Sequence, residues 1–133
     1  EQYFEMPMAG NIYVTPRGFD GLTLHWDPHP VFFVQISGCK HWRVWDAFVE
    51  GTAFRDKDLE EAGRRRIKRS PDNSAERELW QKKQRLIVNE TLHAGDVLYI
   101  PRGFLHEGTV PSNEAASVHI TVGLLEGGLI WAD

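Results

Sequence analysis

In the stretch from Gly21 to Pro30, GLTLHWDPHP, His25 and Asp27 stand two residues apart inside a run that otherwise has the composition of a buried strand. Strand side chains alternate faces, so Thr23, His25 and Asp27 are expected on one face and Leu22, Leu24 and Trp26 on the other. An imidazole nitrogen and a carboxylate oxygen offered to one point make two thirds of a divalent-metal site. The pair alone is a weak signal, because a core histidine bonded to a nearby carboxylate has the same spacing. A third ligand has to come from a strand far along the chain, and His106 in LYIPRGFLHEG and His119 in SVHITVG both have the required type. His106 follows a Pro-Arg-Gly turn that would bring it back over the mouth of a barrel. His119 shares its face with Ser117 and Thr121 and is expected to line an interior. Spacing does not choose between them. His41 and His93 read as structural or exposed, and His29 lies too near Asp27 for easy joint ligation.

Positioning such residues requires strands, and the sequence supplies them. NIYVT (11 to 15), LTLHW (22 to 26), VFFVQIS (31 to 37) and KHWRVW (40 to 45) precede a charged segment; RLIVNETL (85 to 92), DVLYI (96 to 100) and SVHITVGLL (117 to 125) follow it. All are rich in β-branched and aromatic residues and are punctuated by Gly and Pro, the pattern of an all-β barrel or sandwich. Trp26, Trp42, Trp45 and Trp80 read as core. The segment between, about 47 to 84, has helix-favouring composition broken by Ser-Pro-Asp-Asn and reads as an insertion with one or two short helices.

With 133 residues the chain is expected to be one domain, 1 to 133, burying roughly two thirds of its unfolded surface. It begins with Glu and ends on an apolar run, and reads as a piece of a longer protein. One cysteine, Cys39, suits a reducing compartment, and neither a signal peptide nor an apolar run of membrane-spanning length is found, so a soluble, cytoplasmic protein with no membrane partner is expected. The net charge of −4 is unevenly placed: residues 55 to 85 hold eleven of fifteen Lys/Arg and seven of nineteen Asp/Glu, a balance of +4, which leaves −8 elsewhere. That acidic body argues against direct nucleic-acid binding. The basic cluster Arg64, Arg65, Arg66, Lys68 and Arg69 reads as a solvated face beside Asp58, Glu60 and Glu61. Outside the segment the cations are Arg17, Lys40, Arg43 and Arg102.

Several ordered motifs carry a resemblance: NIYVTP, GLTLHWD, FFVQISGCKHW, the Ala-Gly-Asp turn with DVLYIPRGFLHEG, SVHITVGL and the closing WAD. Together they resemble the JmjC-type cupins of the ribosomal oxygenase (Cupin 4) family, iron(II)- and 2-oxoglutarate-dependent protein hydroxylases. The resemblance implies a double-stranded β-helix, or jelly roll, interrupted by the charged, partly helical insertion. It implies that His25, Asp27 and His106 are the iron ligands and that three positions on the metal stay open for 2-oxoglutarate and O2. Two neutral imidazoles and one carboxylate leave a net positive centre suited to a dianionic keto acid.

Chelation through the keto end leaves the far carboxylate of 2-oxoglutarate inside the barrel, where it needs a cation or several donors. Lys40 meets that need: it shares a face with Trp42 and Val44 and stands fifteen positions after His25, the spacing at which related enzymes carry a Lys or Arg for this purpose. Asn11, Tyr13 and Thr121 are similar to family positions lining the co-substrate pocket, and His119 is expected close to 2-oxoglutarate or behind the iron ligands. An acidic residue usual near Pro30 is missing. The implied reaction decarboxylates 2-oxoglutarate to succinate and carbon dioxide and hydroxylates a bound protein side chain, an arginine or histidine of a ribosomal protein. Relatives have dimerisation and winged-helix regions beyond the barrel, which implies a homodimeric full-length form. A metal- and anion-binding cupin without turnover, or another cupin metal enzyme such as an isomerase, is the alternative reading; Lys40 at its spacing favours the oxygenase.

Overall fold

The computed structural model describes residues 8–47 and 69–124. Among the described residues eight strands and one helix follow in order: β1 (Met8–Thr15), β2 (Asp20–His25), β3 (Val31–Ser37), β4 (Cys39–Ala47), α1 (Ser74–Lys83), β5 (Leu86–His93), β6 (Val97–Ile100), β7 (Phe104–Thr109) and β8 (Ser117–Leu124). They form two four-stranded antiparallel sheets, ordered β1-β8-β3-β6 and β2-β7-β4-β5. The first half of the chain is paired with the second half run backwards, β1 with β8, β2 with β7, β3 with β6 and β4 with β5, while the path alternates between sheets. This is the jelly-roll winding that the family resemblance implied, with α1 between β4 and β5 in chain order. Seven strands are legible as apolar runs; the eighth, β7, is FLHEGT, whose mixed composition hides it.

Between the sheets lie Val31, Phe33, Trp42, Val44, Leu92 and Ile100, with Leu22 packed against them. A second apolar group, Leu24, Trp26, Trp45, Trp80 and Leu105, fills the space beneath α1 on the outer side of the β2-β7-β4-β5 sheet. The four tryptophans assigned to the core are all buried. Simple alternation along β2 does not hold, and the reason is local. Leu22 pairs with Gly108 and His25 with His106, so three steps on β2 oppose two on β7, a bulge that accommodates one extra residue. Leu22 therefore shares the inner side with His25, and Leu24 and Trp26 turn out toward the helix. Trp45 joins the same outer group by ordinary alternation, one step after inward-facing Val44.

Asn73 caps α1, its side chain accepting the Glu76 N–H at 2.9 Å, and Glu76 sits in the first turn with Lys82 and Lys83 in the last. The helix is held down by Glu107, which is buried between Arg43 and Arg77. The outer face of the other sheet has a different character. Its rows run Gly10, Val122, Phe32, Tyr99 and then Ile12, Ile120, Val34, Val97, without a charged side chain. No helix among the described residues is long and apolar enough to cross a membrane. Arg64, Arg65, Arg66, Lys68 and the closing WAD lie outside the described residues.

Candidate metal centre and co-substrate pocket

Pairing of β2 with β7 puts His25 directly opposite His106, and the two rings stand 4.3 Å apart between centroids. Asp27 follows at the end of β2, where its carbonyl accepts the N–H of Gly103 at 2.9 Å. Gly103 has φ +80, a conformation that favours glycine, and this lets the Pro-Arg-Gly turn pass close enough to tie β2 to the start of β7. Each imidazole is oriented the same way: Nδ1–H of His25 donates to Thr23 O at 2.6 Å, and Nδ1–H of His106 donates to Phe104 O at 2.9 Å. Both bonds commit the proton to Nδ1 and leave an Nε2 lone pair facing the carboxylate, as metal-binding histidines are held. Asp27 Oδ2 is 3.4 Å from His106 Nε2 and 3.7 Å from His25 Nε2. Ligand atoms of the three residues all lie within 4.8 Å of one another.

Three lone pairs converging on one point repel unless a cation lies among them. His106 is fully buried, and its Nε2 finds no hydrogen-bond partner. That orphaned atom is what the metal reading requires, since a buried acceptor without a partner costs about 1–3 kcal/mol. Burial works against the ionised form of Asp27, but contacts with His106 and His25 outweigh it and hold the carboxyl well below its usual range. The same contact raises His25 despite its burial, whereas burial dominates at His106 and lowers it. A permanently ionised carboxylate beside two imidazoles with committed tautomers is a donor set for a divalent metal of the iron or zinc kind.

Deeper between the sheets the polar residues continue. Lys40 is fully buried on the same inner face as Trp42 and Val44, and its ammonium donates to Thr15 Oγ1 at 3.1 Å. Burial brings its pKa down from the ordinary lysine value of 10.5 to about 8. Backbone space for it comes from two glycines: a Cβ on Gly21 would collide with Nζ, and one on Gly108 would lie 2.9 Å from Cε. His119 is also fully buried, stacked on Tyr13 with centroids 5.0 Å apart and edge-on to Phe33 and Trp42 at 5.6 Å each. Neither of its ring nitrogens has a partner, nor do Thr121 Oγ1, Trp42 Nε1 and Gln35 Oε1. Burial and then the Lys40 charge push His119 down to about 4, so it is neutral at pH 7. Phe33 and Trp42 touch both His106 and His119, and thereby line a path from the three-residue cluster toward Lys40.

Of the residues singled out from sequence, His25, Asp27 and His106 form the cluster, while Lys40, His119, Tyr13 and Thr121 stand on the inner face. Asn11 pairs with Thr121 but is exposed, at the rim. His119 is no part of the three-residue cluster. His41 faces outward, bonded to Thr91 and Asn89, and His93 is exposed beside Asp96. His29 lies across Gly123. Ser117, placed by parity on the face of His119, is fully buried there and accepts from Gln35 Nε2 at 2.8 Å. Sequence reasoning missed Thr15 and Gln35, which parity could have found, because Thr15 lies two steps from Tyr13 and Gln35 two from Phe33. It also missed Arg69, whose guanidinium reaches the outer oxygen of Asp27 at 3.7 Å; no local signal marks that contact.

The family profile described as the JmjC domain matches residues 1–127. The chain belongs to the JmjC domain family. It is 34% identical over 122 residues to the bifunctional lysine-specific demethylase and histidyl-hydroxylase NO66 of Dictyostelium discoideum, covering 92% of the chain and 20% of that relative. It is 38% identical over 116 residues to ribosomal oxygenase 1 of Danio rerio, covering 86% of the chain and 18% of the relative. The chain thus spans about a fifth of these relatives. Among solved structures, the Escherichia coli ribosomal oxygenase YcfD matches with a TM-score of 0.56 at 24% identity, over 89% of this chain and 23% of that one. In its complex with cobalt and 2-oxoglutarate, YcfD matches with a TM-score of 0.50 at 25% identity, over 84% of this chain and 22% of that one.

Proposed function

We propose that this JmjC domain is the catalytic part of an iron(II)- and 2-oxoglutarate-dependent dioxygenase that hydroxylates a protein side chain. The observation that carries the reading is a single inner face with a lone-pair cluster, His25, Asp27 and His106, toward one end and a buried ammonium, Lys40, farther in. A metal centre alone would need only the first. A buried cation with Thr15 as its hydrogen-bond acceptor fits an anion that enters from outside. The likeness to YcfD, whose structure in complex with cobalt and 2-oxoglutarate is known, supports the same reading.

Nε2 of His25, Nε2 of His106 and Oδ2 of Asp27 would hold the iron. When bound, iron with 2-oxoglutarate supplies the oxygen chemistry that releases succinate and carbon dioxide and places one oxygen atom on the substrate. The chain supplies position and charge. Lys40 neutralises the far carboxylate of the co-substrate, and neutral His119 and Thr121 offer hydrogen bonds without adding charge. Phe33 and Trp42 keep water from the inner face, which strengthens each of these contacts. The printed names ribosomal oxygenase and histidyl-hydroxylase support a ribosomal protein and a histidine as substrate, an arginine being the alternative that the family resemblance implies, and the full-length protein is taken to be a cytoplasmic homodimer.

The test is succinate formation from 2-oxoglutarate by the full-length protein with iron(II), together with mass spectrometry of ribosomal proteins for the gain of one oxygen. Asp27→Ala is expected to abolish both signals. Succinate formation that survives in Asp27→Ala would refute the proposed centre. Binding of metal and 2-oxoglutarate without any succinate would identify a binding module instead.

A further inference from the structure

Asp27 has two oxygens, and the fold gives them different neighbours. Oδ2 faces the Nε2 atoms of His106 and His25, at 3.4 and 3.7 Å. Oδ1 faces Nη1 of Arg69 at 3.7 Å. Arg69 belongs to the basic cluster noted in the sequence, and it is no loose surface side chain. Its carbonyl accepts the N–H of Trp26 at 3.0 Å, so the backbone at 69 is pinned to the residue between His25 and Asp27. Trp26 is itself buried against Trp80 of α1, and α1 is anchored through Arg77 to Glu107, the residue after His106. The segment entering the helix is thus fastened to both ligand strands, β2 and β7.

From this placement we infer that Arg69 is a positioning residue for the metal-binding carboxylate: its guanidinium holds Oδ1 away from the metal, so that Asp27 ligates through Oδ2 alone. The inference rests on the metal-centre reading of His25, Asp27 and His106. A carboxylate freed from this restraint can rotate and engage a metal through both oxygens, and the second oxygen then takes a position that the co-substrate needs. Partners behind the ligands commonly govern affinity in this way, and their loss costs about 10–100-fold. The Arg69 side chain is 54% exposed, so its replacement leaves no cavity. Its contribution is to orientation and charge rather than to packing.

The experiment uses the full-length protein and Co(II) as the probe, with affinity measured by calorimetry, the visible absorption of the bound ion recorded, and the melting midpoint of the metal-free protein followed in parallel. Arg69→Ala is expected to weaken Co(II) binding by about tenfold or more and to change the Co(II) spectrum, with the metal-free midpoint unchanged. Arg69→Lys is expected to recover part of the affinity. Arg85→Ala, at an exposed arginine paired with Asp46, should match the wild type. Wild-type affinity and spectrum in Arg69→Ala would overturn the assignment. So would a loss matched by a lower metal-free midpoint, which would make Arg69 a residue of the fold. Asp27→Ala separates the two levels: undiminished Co(II) binding there removes the metal centre itself, whereas lost binding there with an unaltered Arg69→Ala removes only the role of Arg69.

Discussion

Lys40 is an ammonium taken out of water with Thr15 Oγ1 as its hydrogen-bond acceptor, and this is an unfavourable arrangement for the protein without a ligand. Its pKa falls from 10.5, the ordinary lysine value in water, to about 8 in the fold, so between these values the unfolded chain holds a proton that the folded chain has released. Stability therefore rises with pH across that window, and the contribution is lost again as pH falls through 8. Lys40→Met is expected to remove this rise in denaturation curves of the metal-free protein, and to leave the fold as stable or more stable at pH 7. The same substitution should weaken 2-oxoglutarate binding by about tenfold or more, since it removes a charge-assisted contact worth about 1.5–3 kcal/mol. For the wild type, affinity of the ligand-free form for 2-oxoglutarate should decline as pH rises past about 8, where the ammonium loses its proton. Calorimetry across that range checks both points. His119, already neutral at pH 7, should add no inflection there.

At the level of elements, the β2 bulge and two glycines determine what the inner face can hold. Without the extra residue between Leu22 and His25, His25 would leave the side shared with Leu22 and Gly108 and could not meet His106. Gly108 is the sharper test, because a Cβ there would lie 2.9 Å from Lys40 Cε and 3.2 Å from two ring atoms of Trp42. Gly108→Ala is expected to cost about 1–3 kcal/mol in urea denaturation and to raise KM for 2-oxoglutarate by displacing Lys40. The clamp on α1 offers another measurement. Glu107→Ala leaves the guanidinium groups of Arg43 and Arg77 without their carboxylate, and a loss of about 1–3 kcal/mol is expected. Wild-type stability in that variant would show that the Trp80 contact alone holds the helix.

Across the whole molecule, the proposed ligand site lies between the sheets, so occupying it should stabilise both. Co(II) with 2-oxoglutarate at about one hundred times the dissociation constant is expected to add about 2.7 kcal/mol, read as a higher midpoint in chemical denaturation. The outer face of the β1-β8-β3-β6 sheet makes a separate prediction: Ile12, Val14, Val97 and Tyr99 are all exposed on an uncharged surface, which should bind a hydrophobic dye, and Ile12→Lys should reduce that signal without lowering activity. Much of the fold was legible beforehand, since β-branched alternation marks seven of the strands and the order of motifs marks the winding. Residue type also decided the chemistry available, because only imidazoles and a carboxylate at His25, Asp27 and His106 offer that donor set. Type and spacing alone could not choose His106 over His119; the pairing of β2 with β7 does so in space, because opposition across a sheet depends on register and on a bulge, neither of which is a property of one strand. The same holds for Thr15 beneath Lys40 and for Arg69 at the outer oxygen of Asp27. Local sequence sets which faces a strand can show, but contacts between distant segments arise only when the whole chain buries its core.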